Sequence, residues 1–129
     1  MLNCVNFKKI QFHHSFYFSA DIQVVAVYVK NVGGSGGLIA SFGNGVVTDS
    51  TWKCTTQGIR NWEKVGFDDN NWPEAKVHSG NSGNRRVYGI ANEAKWIGPS
   101  LLNAANIYCR RRMSTVSYTH LTLPTSDLV

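Results

Sequence analysis

Apolar positions in this chain alternate or run in short blocks, and nowhere do they recur at the 3.6-residue spacing of a long helix face. The densest block is residues 22–29 (IQVVAVYV). Its β-branched side chains, bounded by Asp21 and by Lys30-Asn31, predict a buried strand. Residues 31–37 (NVGGSGG) follow as a loop with little to bury, and residues 38–42 (LIASF) resume a strand. Gly43-Asn44-Gly45 is a tight turn of the kind that joins antiparallel neighbours. After a short apolar step at 46–48, Asp49-Ser50-Thr51 has turn chemistry. Residues 52–56 (WKCTT) alternate and predict another strand, while residues 66–75, rich in Asp, Asn and Pro, predict a long loop. A brief strand at 76–78, a glycine-bearing loop at 80–84 and late strands at 94–97 (AKWI) and 106–109 (NIYC) complete the pattern, with one helical turn expected at 100–105. The fold class this predicts is all-β and antiparallel, with long loops.

Charge changes this picture little. The 129 residues carry 13 Lys and Arg against 8 Asp and Glu. Residues 20–114 hold eleven of the basic and seven of the acidic groups, a net +4. Much of that excess is positional, in the Arg110-Arg111-Arg112 run and the Arg85-Arg86 pair. Such runs are read as solvated faces, and no basic stretch is interleaved with stacking aromatics, so a nucleic-acid partner is not expected. No stretch approaches the ~20 apolar residues of a membrane span. The glycine run at 33–37 lacks the Gly-Lys-Ser/Thr of a phosphate loop, and it is read as a connector. His13, His14 and His78 have no partners at metal-ligand spacing. No Asn-x-Ser/Thr sequon occurs, so glycosylation gives no independent sign of secretion.

The chain has three cysteines. Cys4 lies in an N-terminal stretch without clear period, which leaves Cys54 and Cys109 as a pair, each in a predicted strand beside an aromatic residue. A bridge between them would stabilise by about 4 kcal/mol in the chain-entropy model and would imply an oxidising setting. The alternative is two buried free thiols.

The most distinctive segment is residues 62–75, WEKVGFDDNNWPEA. Its pattern W-x4-F-D-D-x-x-W-P-x-A resembles a signature of galactose-binding-like jelly-roll domains, including accessory domains of glycoside hydrolases and modules of animal extracellular proteins. The resemblance extends from about residue 22 to residue 112. It takes in Val24-Val25-Ala26-Val27 with Asn31 and the 36–39 segment, then Thr48-Asp49 with Trp52-Lys53-Cys54. It closes on 94–97 and Tyr108-Cys109-Arg110, similar to the disulfide-bearing animal variety. It implies a galactose-binding-like sandwich over residues 20–114. It also implies further strands upstream of residue 22, which residues 1–19 do not display. The expectation is therefore the C-terminal part of such a domain, with unpaired edges. Residues 1–19 are read either as intron-derived or as an edge strand. Residues 116–125 (VSYTHLTLPT) resemble the translation of a sequencing-library adapter, so residues 115–129 are expected to stand outside the fold.

Within the motif, Asp68 and Asp69 are expected to accept backbone N–H bonds in a turn, while Phe67, Trp72 and Trp62 bury aromatic area beneath it and Pro73 ends it. Glycoside hydrolysis needs two carboxyls about 5–10 Å apart across a cleft, which adjacent aspartates in one turn do not supply. No catalytic residue and no cofactor are expected. Calcium on Asp68, Asp69 and Asn70 is the alternative use of those oxygens, although their spacing is not that of an EF-hand. A sugar site would draw on Arg85, Arg86 and Tyr88, with Trp62 as a further ring, because guanidinium forks and aromatic faces suit hydroxyls and pyranose C–H surfaces. The resemblance thus implies a non-catalytic module that binds glycans or glycoproteins, in an extracellular or secreted modular protein. The alternatives are a structural module supporting neighbouring domains of the same chain, and an accessory segment of a glycoside hydrolase. Fold alone does not choose among them.

Overall fold

In a computed structural model of the chain, the described residues are 2–6, 13–14, 17–18, 23–43, 45–113 and 121–122; before 23 and after 113 only the backbone of short strands is described. Most of the adapter-like stretch and part of residues 1–19 fall outside them.

Ten strands are present among the described residues. They are β1 (Leu2–Asn6), β2 (His13–His14), β3 (Tyr17–Phe18), β4 (Val24–Lys30), β5 (Gly36–Ala40), β6 (Lys53–Thr55), β7 (Lys76–Gly80), β8 (Lys95–Gly98), β9 (Asn106–Arg112) and β10 (Leu121–Thr122). One antiparallel sheet has the order β2-β1-β5-β8-β7, a second has β4-β9-β6, and β10 pairs with β3. No α-helix occurs among the described residues; residues 83–85 form one 3-10 turn. The chain is all-β, and its two main sheets form a partial sandwich.

Strand alternation builds the core. In β4, Val27 and Val29 are buried while Tyr28 between them is exposed. In β9, Ile107 and Cys109 turn inward. From the opposing sheet come Leu38 and Ala40 of β5 and Ile97 of β8, with Trp52 and Phe42 filling the same layer. Trp52 is fully buried and gives its indole N–H to the Val47 carbonyl at 3.0 Å, so its polar edge is satisfied. Cys54 and Cys109 stand directly opposite each other across β6 and β9, both fully buried and joined by a disulfide.

Several sequence expectations shift by a few residues. β5 starts at Gly36 rather than 38, because Gly36 and Gly37 pair with Asn6 and Val5 of β1; Gly36 also lies against the Asn31 side chain, where a Cβ would come within 2.8 Å of the amide carbon. Asn31 itself is buried, donating to the Gly34 and Ala104 carbonyls and accepting from the Gly33 N–H. β9 continues three residues past 109, through the arginine run. The expected helical turn at 100–105 is a reverse turn closed by Ala104 N–H to the Leu101 carbonyl at 3.2 Å. The turn at 43–45 does join antiparallel partners, since Ser41 and Val47 form a bridge across it. At the N-terminus, where the sequence pattern offers only an edge strand or a non-native stretch, the backbone of Leu2–Asn6 pairs with β5 over five positions.

Candidate functional site

The outer face of β9 carries Tyr108, Arg110 and Arg112, the alternate residues to the core-facing pair. The 59–72 segment folds over this face. Arg110 gives one guanidinium N–H to the Asp69 carboxylate and another to the Lys64 carbonyl at 2.8 Å. Arg112 reaches the Val65 and Phe67 carbonyls at 2.9 and 2.5 Å. Lys53, opposite Arg110 in the β6–β9 register, donates to the Asp69 carbonyl at 3.0 Å. Its ammonium also stands 3.6 Å from the Asp69 carboxylate. These contacts correct the solvated reading of the arginine run. Arg110 is completely buried, with its guanidinium 5.4 Å from the Phe67 ring centroid. They also divide the two aspartates. Asp68 accepts the Asn70 N–H at 3.0 Å, as an Asx turn requires, whereas the Asp69 carboxylate is the counter-ion of Lys53, Arg110 and Arg112.

The motif aromatics pack beside this ion pair. Trp62 and Trp72 stack at 6.1 Å, Phe67 meets Trp72 edge-on at 5.7 Å, and Trp62 meets Tyr108 edge-on at 5.2 Å. Trp62 is half-buried, so it serves chiefly as a wall of this cluster. Pro73 closes the segment: its carbonyl accepts the Cys54 N–H at 3.2 Å, and Ala75 N–H bonds back to Trp52 at 2.8 Å. Gly58 faces the Tyr108 ring so closely that a Cβ would lie 2.4 Å from it. Gly58→Ala should therefore destabilise by about 1–3 kcal/mol, because the ring must shift and carry Trp62 with it. A melting curve checks this, and an unchanged midpoint would mean that the loop yields freely.

The second group of candidates lies on the other face of the sandwich. Ile39 and Trp96, which alternate with the core-facing Leu38 and Ile97, belong to a separate apolar cluster with Val87, Ile90 and Ala94. The 81–94 segment thus covers the outer face of the five-stranded sheet. Buried Asn81 organises it, donating to the Val87, Ile90 and Ala91 carbonyls and accepting the Val87 N–H at 2.6 Å. Arg85 supplies its carbonyl to the Trp96 indole N–H at 2.8 Å. The Arg86 guanidinium lies 4.8 Å from the Tyr88 ring centroid, and Tyr88 is 78% exposed. Arg85, Arg86 and Tyr88 therefore share one loop, and Trp62 belongs to the opposite face.

Sequence reasoning missed Arg110 and Asn81. For Arg110 a signal existed: a strand placing Ile107 and Cys109 inward sends residues 108, 110 and 112 to one outer face, within reach of an acidic loop. For Asn81 nothing distinguishes it from the polar residues around it. The three cations around Asp69 disfavour a calcium ion at that carboxylate, and among the described residues no group of three or more His, Cys, Asp or Glu is gathered. Among the same residues, no helix is long and apolar enough to cross a membrane. Searches of protein-family models, curated proteins and solved structures find no match to this chain.

Proposed function

We propose that the chain is a non-catalytic carbohydrate-binding module of the galactose-binding-like kind, working in an extracellular or secretory setting and engaging glycans through Arg85, Arg86 and Tyr88. The observation that carries this reading is Tyr88: a large ring, 78% exposed, on a loop fixed from beneath by Asn81. An exposed aromatic on a braced loop binds with little ordering cost, and its face suits the C–H surface of a sugar ring. The neighbouring guanidinium offers paired donors for adjacent hydroxyls. The disulfide supports the oxidising setting.

Retention on immobilised glycans tests it. Tyr88→Ala should lower retention about tenfold, the effect of removing an anchoring aromatic contact, while leaving the melting temperature nearly unchanged. Equal retention of the variant and the parent chain on every glycan bound would sink the Tyr88 site.

A structural accessory role is the second reading, and a specific feature favours it. Val32, Leu101 and Leu102 are exposed on two loops tied together by Asn31 N–H to Ala105 and Gly36 N–H to Leu102. These loops form an apolar end to the sandwich that a neighbouring domain would cover. This reading predicts no glycan retention, and lower stability of an adjoining domain when residues 20–114 are deleted.

A further inference from the structure

The clamp that holds the 59–72 segment leaves a cationic recess beside it. The recess, about 280 Å³ in volume, is lined by Thr51, Lys53, Asp69 and the consecutive residues Arg110, Arg111 and Arg112. Four cationic side chains thus share the lining with the single carboxylate of Asp69. A second carboxylate, Asp49, stands behind the lining, accepting from the Thr51 hydroxyl and backbone N–H. Even counting both, positive charge is in excess.

Lys53, Arg110 and Arg112 share the one Asp69 carboxylate, and the other oxygen partners of the arginines are neutral. Arg112 is held by carbonyls of Val65 and Phe67 and stays 3.9 Å from the Asp69 carboxylate. Arg111 donates to the Thr51 hydroxyl at 3.1 Å and to the Arg112 carbonyl at 3.0 Å. Carbonyl and hydroxyl oxygens satisfy N–H donors without cancelling charge. A second feature is independent of that charge count. Arg110 is fully buried, and its Nε has no hydrogen-bond partner among the described residues. That N–H is shielded from solvent, so Arg110 adds a positive field behind the recess, while the half-buried Lys53 and Arg111 supply the donors that an oxyanion can reach.

We propose that this recess binds a sulfate-type oxyanion, and that the group is carried as a sulfate ester on a glycan. The oxyanion half stands on the recess alone; the glycan half rests on the carbohydrate reading above. The volume lies at the lower end for a small-molecule site, so it admits one charged substituent and part of its sugar ring. An Arg fork can engage two of the three terminal oxygens of such a tetrahedral group at once. Of the lining cations, Lys53 and Arg111 are half-buried and Arg110 is fully buried.

The test uses the 129-residue chain, inorganic sulfate and a sulfated oligosaccharide beside its desulfated counterpart. Lys53→Gln and Arg111→Gln are the informative variants, since both side chains are half-buried and neither is the buried partner of Asp69. Lys53→Arg serves as the charge-conserving control. Sulfate titration followed by calorimetry and by arginine side-chain NMR should locate the anion at Arg111, the half-buried arginine of the lining. Each glutamine variant should weaken it about tenfold, as expected when a charge-assisted hydrogen bond is lost, and Lys53→Arg should restore it. The sulfated oligosaccharide should bind more tightly than the desulfated one, with that difference lost in the glutamine variants.

If sulfate leaves the arginine resonances unmoved and the variants bind like the parent, the recess proposal fails, whatever retention Tyr88 confers. If sulfate binds but the two oligosaccharides bind alike, the glycan half fails. A phosphorylated polymer of equal charge binding more tightly than the sulfated saccharide would also overturn it.

Discussion

Replacing Asp69 by asparagine (Asp69→Asn) is expected to destabilise the fold by about 3–5 kcal/mol, the cost of leaving a buried charge without its partner. Arg110 has no solvent exposure, and among the described residues its ion pair with Asp69 is one of two carboxylate–guanidinium approaches at this face, the other being the looser Arg112 contact at 3.9 Å. Asparagine keeps the shape and one acceptor but removes the charge. The guanidinium must then stay buried unpaired or drag the 59–72 segment outward. Either route also strains the Arg110 bond to the Lys64 carbonyl and the Phe67 ring beside the guanidinium. For a domain of this size, the melting temperature should fall by more than about 12 °C.

The double variant Asp69→Leu with Arg110→Met separates burial of a charge from loss of the pair. It removes both charges, and buried pairs replaced by apolar residues of similar volume are often neutral in stability. The double variant is therefore expected to be more stable than either single one. A loss below about 1 kcal/mol for Asp69→Asn would mean that water reaches Arg110 and that the pair behaves as a surface bridge.

That ion pair also marks where sequence reading reaches its limit. The β4 and β9 strands were legible because β-branched density and alternation are local properties, visible within eight residues. The Cys54–Cys109 pairing was legible as one of two alternatives, since only two cysteines lie in predicted strands. The burial of Arg110 was not, because a charge run reads as solvated until something is known to lie over it. What lies over it comes from 41 residues upstream. The same limit separates Trp62 from Arg85, Arg86 and Tyr88. All four are loop residues of suitable chemistry, and only the assignment of their strands to different sheets puts them on opposite faces. Asn81 was illegible for another reason: its role is to satisfy three carbonyls of a loop that has no shape until it folds.

Reduction of the Cys54–Cys109 disulfide should lower stability by about 4 kcal/mol, the chain-entropy value for a closed loop of this length. The bridge joins residues 55 apart in sequence, at the centre of the β6–β9 pairing and in the middle of the main core. β6 is only three residues long, so few ladder hydrogen bonds would hold it to β9 without the bridge. Two experiments divide the effect. Reducing the native chain leaves both sulfurs in place, so its cost reports the released loop. Cys54→Ala with Cys109→Ala also removes buried volume, and should cost about 1 kcal/mol more through the cavity left behind. The bridge and the Asp69–Arg110 pair constrain the same strand, because Arg110 follows Cys109 directly and Pro73 anchors the motif to Cys54. Their effects should therefore be non-additive: with the bridge reduced, Asp69→Asn costs less than in the oxidised chain, because β6 has already loosened and the buried guanidinium gains water. Denaturant titrations of the four states measure that coupling. Strict additivity would show that the loop clamp and the core staple act on separately folding parts of the sandwich.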